Sequence, residues 1–276
     1  MMRVMDKRKL VTFQKIVWGY YAKHKRDLPW RGKRVSPYKI LVSEIMLQQT
    51  QVGRVVGKYR EFIKRFPSVS ALACAPLRDV IRTWQGLGYN RRALYLHKAA
   101  QIIVREHLGR VPPDPNFLEQ LPGIGHYTAR AIVTFAFNEP HTFIETNIRS
   151  VYLHHFFPHK NKVTDSELLP LIEASMDTKY PAQWCAALMD YGSYIKTQTA
   201  NPSRKSAHHS KQKKFKGSER EVRGALLRAL TQERAHTLRT LSATLTFSPT
   251  RILKNLHALK NEGLVVQQRN AYTLPT

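Results

Sequence analysis

Between Val11 and about Pro202 the chain is broken repeatedly by Pro and Gly, and that punctuation limits what it can fold into. Pro29, Pro37, Pro67, Pro76, Pro112, Pro113, Pro122 and Pro140 each lack the amide proton that a helix interior needs, so they cut the stretch into short segments. Inside the segments apolar residues recur at helical spacing. Ile40, Leu41, Ile45, Met46 and Val52 share one face, and Ala129, Ala131, Ile132, Phe135 and Ala136 cluster in the same way. Strand-like alternation is nearly absent. The stretch is therefore predicted to be an all-α domain of about eight or more helices.

Charge narrows the partners. The 276 residues include 45 Lys and Arg against 19 Asp and Glu, a formal net charge of +26. Self-repulsion of that size points to a polyanion, and nucleic acid is the first candidate. A hydrophobic content of 42% excludes wholesale disorder. Two cysteines, Cys74 and Cys185, lie far apart, which excludes a disulfide framework and any zinc or iron–sulfur site needing several thiolates. Charge interrupts the first nine residues, Met1 to Lys9, and no run of about 18 apolar residues occurs. A cytoplasmic protein with no membrane partner is expected, associated with the nucleoid if the source is bacterial.

The chain reads as three parts, residues 1–202, 203–218 and 219–276. The middle part carries Arg204, Lys205, Lys211, Lys213, Lys214 and Lys216 without an acid, and reads as a solvated tether that also adds affinity for DNA. In the last part Val222, Leu226, Leu227 and Leu230 mark one helix, and Thr237 is a candidate cap before Leu238, Leu241 and Leu245. Ser248 and Pro249 start a third helix with Ile252, Leu253, Leu256 and Leu259 on its core face, and Gly263 ends it. Leu264 to Val266 and Ala271 to Leu274, joined across residues 267–270, read as a hairpin. Three helices and a hairpin resemble a winged helix-turn-helix. In that reading Thr250, Arg251 and Lys254 face DNA and Arg269 at the hairpin tip touches it; binding a protein or capping the first domain are the alternatives.

Residues 121–138 begin Leu-Pro-Gly-Ile-Gly-His-Tyr-Thr-Ala-Arg. Gly123 and Gly125 permit a tight turn, and a helix starting near His126 directs its first amides the same way, a corner suited to a phosphate. Asp114-Pro115-Asn116 supplies start signals for the preceding helix, so the segment reads helix, glycine hairpin, helix. It resembles the helix–hairpin–helix of base-excision DNA glycosylases. Three further strings resemble the adenine-DNA glycosylase (MutY-type) branch: Leu28-Pro29-Trp30-Arg31, Ser43-Glu44-Ile45-Met46-Leu47-Gln48-Gln49-Thr50-Gln51-Val52, and Trp84-Gln85-Gly86-Leu87-Gly88-Tyr89. The similarity covers roughly residues 10–200.

The resemblance implies a six-helix barrel over about residues 30–140 and a second helical lobe from 10–29 and 141–202. It implies base flipping and cleavage of an N-glycosidic bond through an oxocarbenium-like state. Glu44 matches the family acid, and burial in its apolar stretch would keep it protonated for donation to a purine nitrogen; a glutamate capping or pairing in the core is the alternative. Gln48, Gln49, Thr50, Leu87 and Tyr89 match positions that touch or wedge into the duplex, although without the resemblance Leu87 and Tyr89 read as core. Gly123, Gly125, His126 and Thr128 match the hairpin's contacts with the DNA backbone. Arg31 and Asn147 match positions near the substrate. Tyr127 stands where bifunctional relatives carry a Schiff-base lysine, so base release without strong lyase activity is implied.

Three departures qualify these implications. In Phe143-Ile144-Glu145-Thr146-Asn147 the family's catalytic aspartate is replaced by Glu145, one methylene longer, which keeps the charge but weakens or retunes the site unless the backbone compensates. Cluster cysteines are missing from Met189 through Ser203 and Ser206, so no [4Fe–4S] cofactor is expected. A monovalent cation at the hairpin stays compatible with this expectation. Residues 219–276 are too short for the Nudix-like domain that helps such enzymes read 8-oxoguanine. The preferred expectation is a monomer that excises adenine opposite 8-oxoguanine or guanine. The rivals are excision of thymine or uracil opposite guanine, and a non-catalytic binder of mismatched DNA.

Overall fold

A computed structural model describes residues 7–32, 35–210, 214–232 and 235–275. Met1 to Asp6, Lys211 and Lys213, which entered the expectations above, lie outside the described residues. The helices are α1 (Lys7–His24), α2 (Pro37–Leu47), α3 (Val52–Arg65), α4 (Val69–Ala73), α5 (Leu77–Trp84), α6 (Arg91–His107) and α7 (Pro115–Gln120). There follow α8 (His126–Phe137), α9 (Thr146–Phe156), α10 (Asp165–Ala174), α11 (Pro181–Gln198), α12 (Glu219–Leu230), α13 (Leu238–Thr244) and α14 (Pro249–Asn261). Strands β1 (His236–Thr237), β2 (Val266–Gln268) and β3 (Ala271–Thr273) complete the described elements.

The predicted all-α character of the first 200 residues is realised, and most of the prolines lie where helices start or between them. Pro37 opens α2, and Pro76 precedes α5. Two details differ. Val52 does not extend the α2 face but starts α3, because α2 ends at Leu47. Pro170 sits inside α10, whose first turn is secured by a reciprocal capping box between Thr164 and Glu167.

Compactness does not follow chain order. One unit comprises Met1–Ile40, Pro113–Glu119 and Gly125–Lys211, and the other Leu41–Pro112, Gln120–Ile124 and Gln212–Thr276. Composition marks boundaries along the chain, whereas each of these units gathers segments distant in it.

In the first unit Phe13 and Val17 of α1 pack with Val151 and Tyr152 of α9 and Trp184 and Leu188 of α11, all buried. The Phe13 ring meets Trp184 edge-on at 6.0 Å. The tether expected to begin at 203 is tied down at its start. Pro202–Lys205 form a 3₁₀ turn, Val163 donates its amide to Lys205 O (2.9 Å), and Ala207 returns one to Val163 O (2.8 Å).

In the second unit Leu41, Ile45 and Met46 of α2 lie in a core with Val55 and Phe62 of α3 and Trp84 of α5. The C-terminal pattern is a three-helix, three-stranded winged module with sheet order β1-β3-β2. Its expected caps are in place: Thr237 accepts from Thr240 N, and Ser248 from Arg251 N. The hairpin is tighter than predicted. Gln267 and Gln268 pair within β2, leaving Arg269 and Asn270 as the turn, with Arg269 at φ +52°.

Candidate functional site

In the second unit, Glu44 lies on the buried face of α2 with 7% of its surface exposed, between Ser43 and Ile45, which are sealed from water. Burial of this kind disfavours a bare carboxylate. Helix α2 ends three residues later, and its last carbonyls need donors. They converge on Arg92 of α6, which is only 8% exposed. Its guanidinium donates to Ile45 O (2.8 Å), Met46 O (2.9 Å), Gln48 O (2.6 Å) and Thr50 Oγ1 (2.9 Å), and reaches Gly88 O (3.2 Å). It also stacks near Trp84 at 5.4 Å and Tyr89 at 5.5 Å. Burial lowers its pKa to about 10, so it stays charged at neutral pH. One side chain thereby holds both loops that the sequence singled out.

Those loops are held in unusual backbone. Gln49 and Tyr89 have φ +54° and +46°, in the left-handed region. Gln49 is exposed and Thr50 half-buried, whereas Leu87 is 3% exposed and belongs to the core. Its expected role as a duplex wedge is not supported by this placement; Leu87 N bonds Trp84 O and the side chain packs inward. Tyr89 is half-buried, and its hydroxyl accepts from Arg220 of α12 at 2.8 Å. Gln48 Nε2 donates to Gly123 O at 3.2 Å, joining the loop after α2 to the hairpin. Gly123 has φ +77°, and a Cβ there would sit 2.9 Å from Tyr95 Cβ, so the turn needs glycine on both counts.

The winged module presents Thr250, Lys254 and Arg269 to solvent. Arg251 does not join them. It donates to Glu219 Oε1 (3.0 Å) and Gly217 O (3.1 Å), which spends its charge on α12.

In the first unit, Gly125 is the N-cap of α8 and is exposed, with no side chain to satisfy the helix's first amides. His126 is exposed, 3.1 Å from Glu119 Oε1, and Arg130 bridges the two. Thr128 is buried. Tyr127 stacks edge-on against Phe143 at 5.5 Å.

Glu145 caps α9. Its Oε2 accepts from Asn147 N at 2.6 Å and its Oε1 from Asn147 Nδ2 at 3.0 Å. The extra methylene is folded back so that the carboxylate lies over the helix N-terminus, where negative charge is favoured. Arg31 is placed differently from expectation. Its Nη1 forks onto Asp190 of α11 at 2.9 and 2.8 Å, and Arg26 Nε takes the same carboxylate at 2.6 Å. Arg31 therefore holds α11 rather than standing free for substrate.

Sequence reasoning missed Arg92, Asp190 and Lys196, which donates to Asn147 Oδ1 at 2.9 Å. Asp190 and Lys196 stood within the segment inspected for cysteines; Arg92 signalled only by lying on the apolar face of α6. Among the described residues no group of three or more His, Cys, Asp or Glu side chains is placed to hold a metal ion.

Residues 42–173 match the family described as HhH-GPD superfamily base excision DNA repair protein. This stretch is similar to HhH-GPD base excision repair domains. Curated relatives named adenine DNA glycosylase include those of Mycobacterium tuberculosis, 47% identical over 133 residues covering 48% of this chain and 44% of the relative. That of Mycolicibacterium smegmatis is 41% identical over 181 residues, 65% of this chain and 61% of the relative. The chain spans about half the length of the curated relatives it matches. Among solved structures, a thermostable thymine-DNA glycosylase aligns with TM-score 0.60 and 25% identity over 68% of this chain and 88% of that one. An endonuclease III–DNA complex aligns with TM-score 0.60 and 18% identity over 71% and 90%, a likeness of fold. No helix among the described residues is long and apolar enough to cross a membrane.

Proposed function

We propose that this protein is a DNA glycosylase that hydrolyses adenine from duplex DNA where it faces 8-oxoguanine or guanine. The observation that carries the reading is Glu44, a carboxyl buried in an apolar helix within the string that resembles adenine-DNA glycosylases, beside relatives of that name at up to 47% identity. Glu44 donates its proton to a ring nitrogen of the flipped adenine, so the base departs as a neutral leaving group. The sugar left behind is cationic, and Glu145, tied at both oxygens, stabilises it until water adds at C1′ and releases a proton to solvent. Tyr127 has no amine and forms no Schiff base, so the product is an intact abasic site.

The domain needs no [4Fe–4S] cluster in this reading. In the segment after α11, Ser203 Oγ donates to Asn201 Oδ1 (2.7 Å) and Ser206 Oγ accepts from His208 N (3.1 Å), bonds that suit a protein turn and supply no thiolate. A monovalent cation at the hairpin would share the Leu121 and Gly123 carbonyls with Ile124 N and Gln48 Nε2, and no part of base release depends on it. The DNA-binding set is proposed to be Gln49, Thr50 and Tyr89 with the hairpin amides, and Lys254 and Arg269 on the winged module. The protein is proposed to act as a monomer on chromosomal DNA.

A second reading, excision of thymine or uracil opposite guanine, is favoured by the alignment with the thermostable thymine-DNA glycosylase over 88% of its length. The test is single-turnover base release from duplexes carrying adenine, thymine, uracil or hypoxanthine opposite guanine or 8-oxoguanine, scored as alkali-dependent strand cleavage. Adenine release that is lost in Glu44→Gln and Glu145→Gln is expected. Pyrimidine-only release moves the assignment to the second reading, and tight binding without release of any base overturns both.

A further inference from the structure

We propose that Lys196 of α11 is a positioning residue for the Glu145 carboxylate, acting through the side chain of Asn147. The proposal rests on the reading of Glu145 as the carboxylate beside the reacting sugar. A glutamate has one more rotatable bond than the aspartate of the family, so a longer arm reaches the right place only if something ties it there. Asn147 is that tie, because its backbone amide and its Nδ2 hold the two carboxylate oxygens separately.

An asparagine amide can turn end for end, and the turned form would aim its oxygen at Glu145. Lys196 forbids this. Its ammonium, a donor with no acceptor, is 2.9 Å from Asn147 Oδ1, so the amide nitrogen must face the carboxylate. Helix α11 is built to bring the ammonium there. Gly192 lies four residues before Lys196 and so on the same helical face. A Cβ on Gly192 would come within 2.2 Å of Asn147 O, which means the α11 backbone touches the α9 backbone at the very residue whose side chain Lys196 holds. The charged groups acting on Lys196 are Glu145, which favours the ammonium, and Arg149, which opposes it. Arg149 is itself turned to Asp165, with bonds of 3.0 and 2.8 Å. Burial lowers the lysine pKa and Glu145 works against that loss, as a strap sharing a site with its carboxylate requires.

The experiment compares the full-length protein with Lys196→Met, which keeps the aliphatic stem and removes the donor. Single-turnover adenine release is expected to fall roughly ten- to a hundredfold, as for a misplacement of catalytic geometry, while affinity for a duplex with a tetrahydrofuran abasic analogue stays within about twofold. On an Asn147→Ala background the same substitution is expected to add less than about a twofold further loss, because the strap is already cut. In a crystal structure of Lys196→Met, Asn147 or Glu145 is expected to leave its present rotamer. A wild-type rate in the variant overturns the proposal, as does an equal loss on the Asn147→Ala background. If borohydride traps the wild-type protein on abasic-site DNA but not Lys196→Met, the amine is a nucleophile and positioning is overturned. If the wild-type protein releases no base at all, the glycosylase reading fails by itself, and unmoved Asn147 and Glu145 in the variant crystal then decide against the strap.

Discussion

Arg92 in one unit and Asp190 in the other are both charged side chains removed from water, 8% and 2% exposed, and they are satisfied in opposite ways. Arg92 is surrounded by dipoles, since its partners are backbone carbonyls of the α2 terminus and of Gly88 with the Thr50 hydroxyl. Asp190 is surrounded by charge, with Arg26 and Arg31 both on its carboxylate. The contrast has a functional reading. The cation that collects carbonyls ties together two loops in which Gln49 and Tyr89 take left-handed conformations, whereas the anion that collects guanidiniums staples the loop after α1 to α11. Dipoles surround Arg92 on several sides and dictate loop geometry; an ion pair fixes two points.

Breaking each arrangement in turn tests this difference. Arg92→Leu leaves at least four buried carbonyls without a donor and is expected to cost about 4–5 kcal/mol, a large part of the ~5–15 kcal/mol that holds a domain. Arg92→Lys restores charge but not the fork, so denaturant melts are expected to recover less than half of that loss. An Arg92→Leu protein as stable as wild type would mean that the carbonyls find water.

Asp190→Asn is expected to cost about 3 kcal/mol, since it leaves two guanidiniums facing an amide. Arg31→Gln is expected to cost only about 1 kcal/mol, because Arg26 still pairs with the carboxylate. Arg31→Gln also separates roles. Base release that falls only as far as the folded fraction falls confirms a staple, while a larger loss at full folding returns Arg31 to the substrate.

What could be read beforehand follows the same line. Thr237 and Ser248 were legible as caps, and Gly263 as a helix end with φ +78°, because each acts on residues three or four away. The Leu-Pro-Gly-Ile-Gly turn and the buried Glu44 were legible because a local string carried them. Arg92, Asp190 and Lys196 were not, since their partners lie 47, 164 and 49 residues away and a charged residue is ordinarily read as solvent-facing. The partner of Arg251, read as a DNA contact, was likewise not legible, since Glu219 lies 32 residues away. The anchored start of the linker was not legible because composition hides the backbone bridge from Val163 to Ser206.

His155 supplies a third way of burying a titratable group, which is to give up its proton. It packs edge-on against Phe13 at 5.3 Å and bonds Tyr191 Oη at 3.0 Å, and burial pushes its pKa down to about 4, with His154 and Lys9 adding to the effect. An unfolded histidine binds its proton near pH 6.5, so between about 6.5 and 4 only the unfolded chain is protonated there. Stability from this group is complete above that window and falls as the pH drops through it. With solvent screening the expected loss is about 1–2 kcal/mol. Urea melts at about pH 7 and about pH 4.5 measure it, and His155→Phe is expected to flatten the difference. An unchanged slope in His155→Phe would place the acid sensitivity elsewhere.

The smallest effect probes how far the dipole-rich centre extends. Arg220 of the winged module donates to Tyr89 Oη at 2.8 Å and lies 5.5 Å from its ring centroid, the same distance as Arg92. Tyr89 therefore carries two cations on one ring, and only Arg220 comes from outside the helices that bear the loop. Exposed cation–π contacts contribute about 0.5–1 kcal/mol, so Arg220→Met is expected to lower stability by less than about 1 kcal/mol. Its influence on DNA should be comparable in size. Tyr89 sits at φ +46°, and in the proposed reading, in which its loop meets DNA, the guanidinium presets that loop in the free protein. Loss of the stack is expected to weaken binding of an abasic-analogue duplex roughly threefold, with the change vanishing in a Tyr89→Ala background. Tighter binding by Arg220→Met would reverse the sign, making the winged module a restraint that DNA must displace, and would separate Tyr89 from the loops that Arg92 presets.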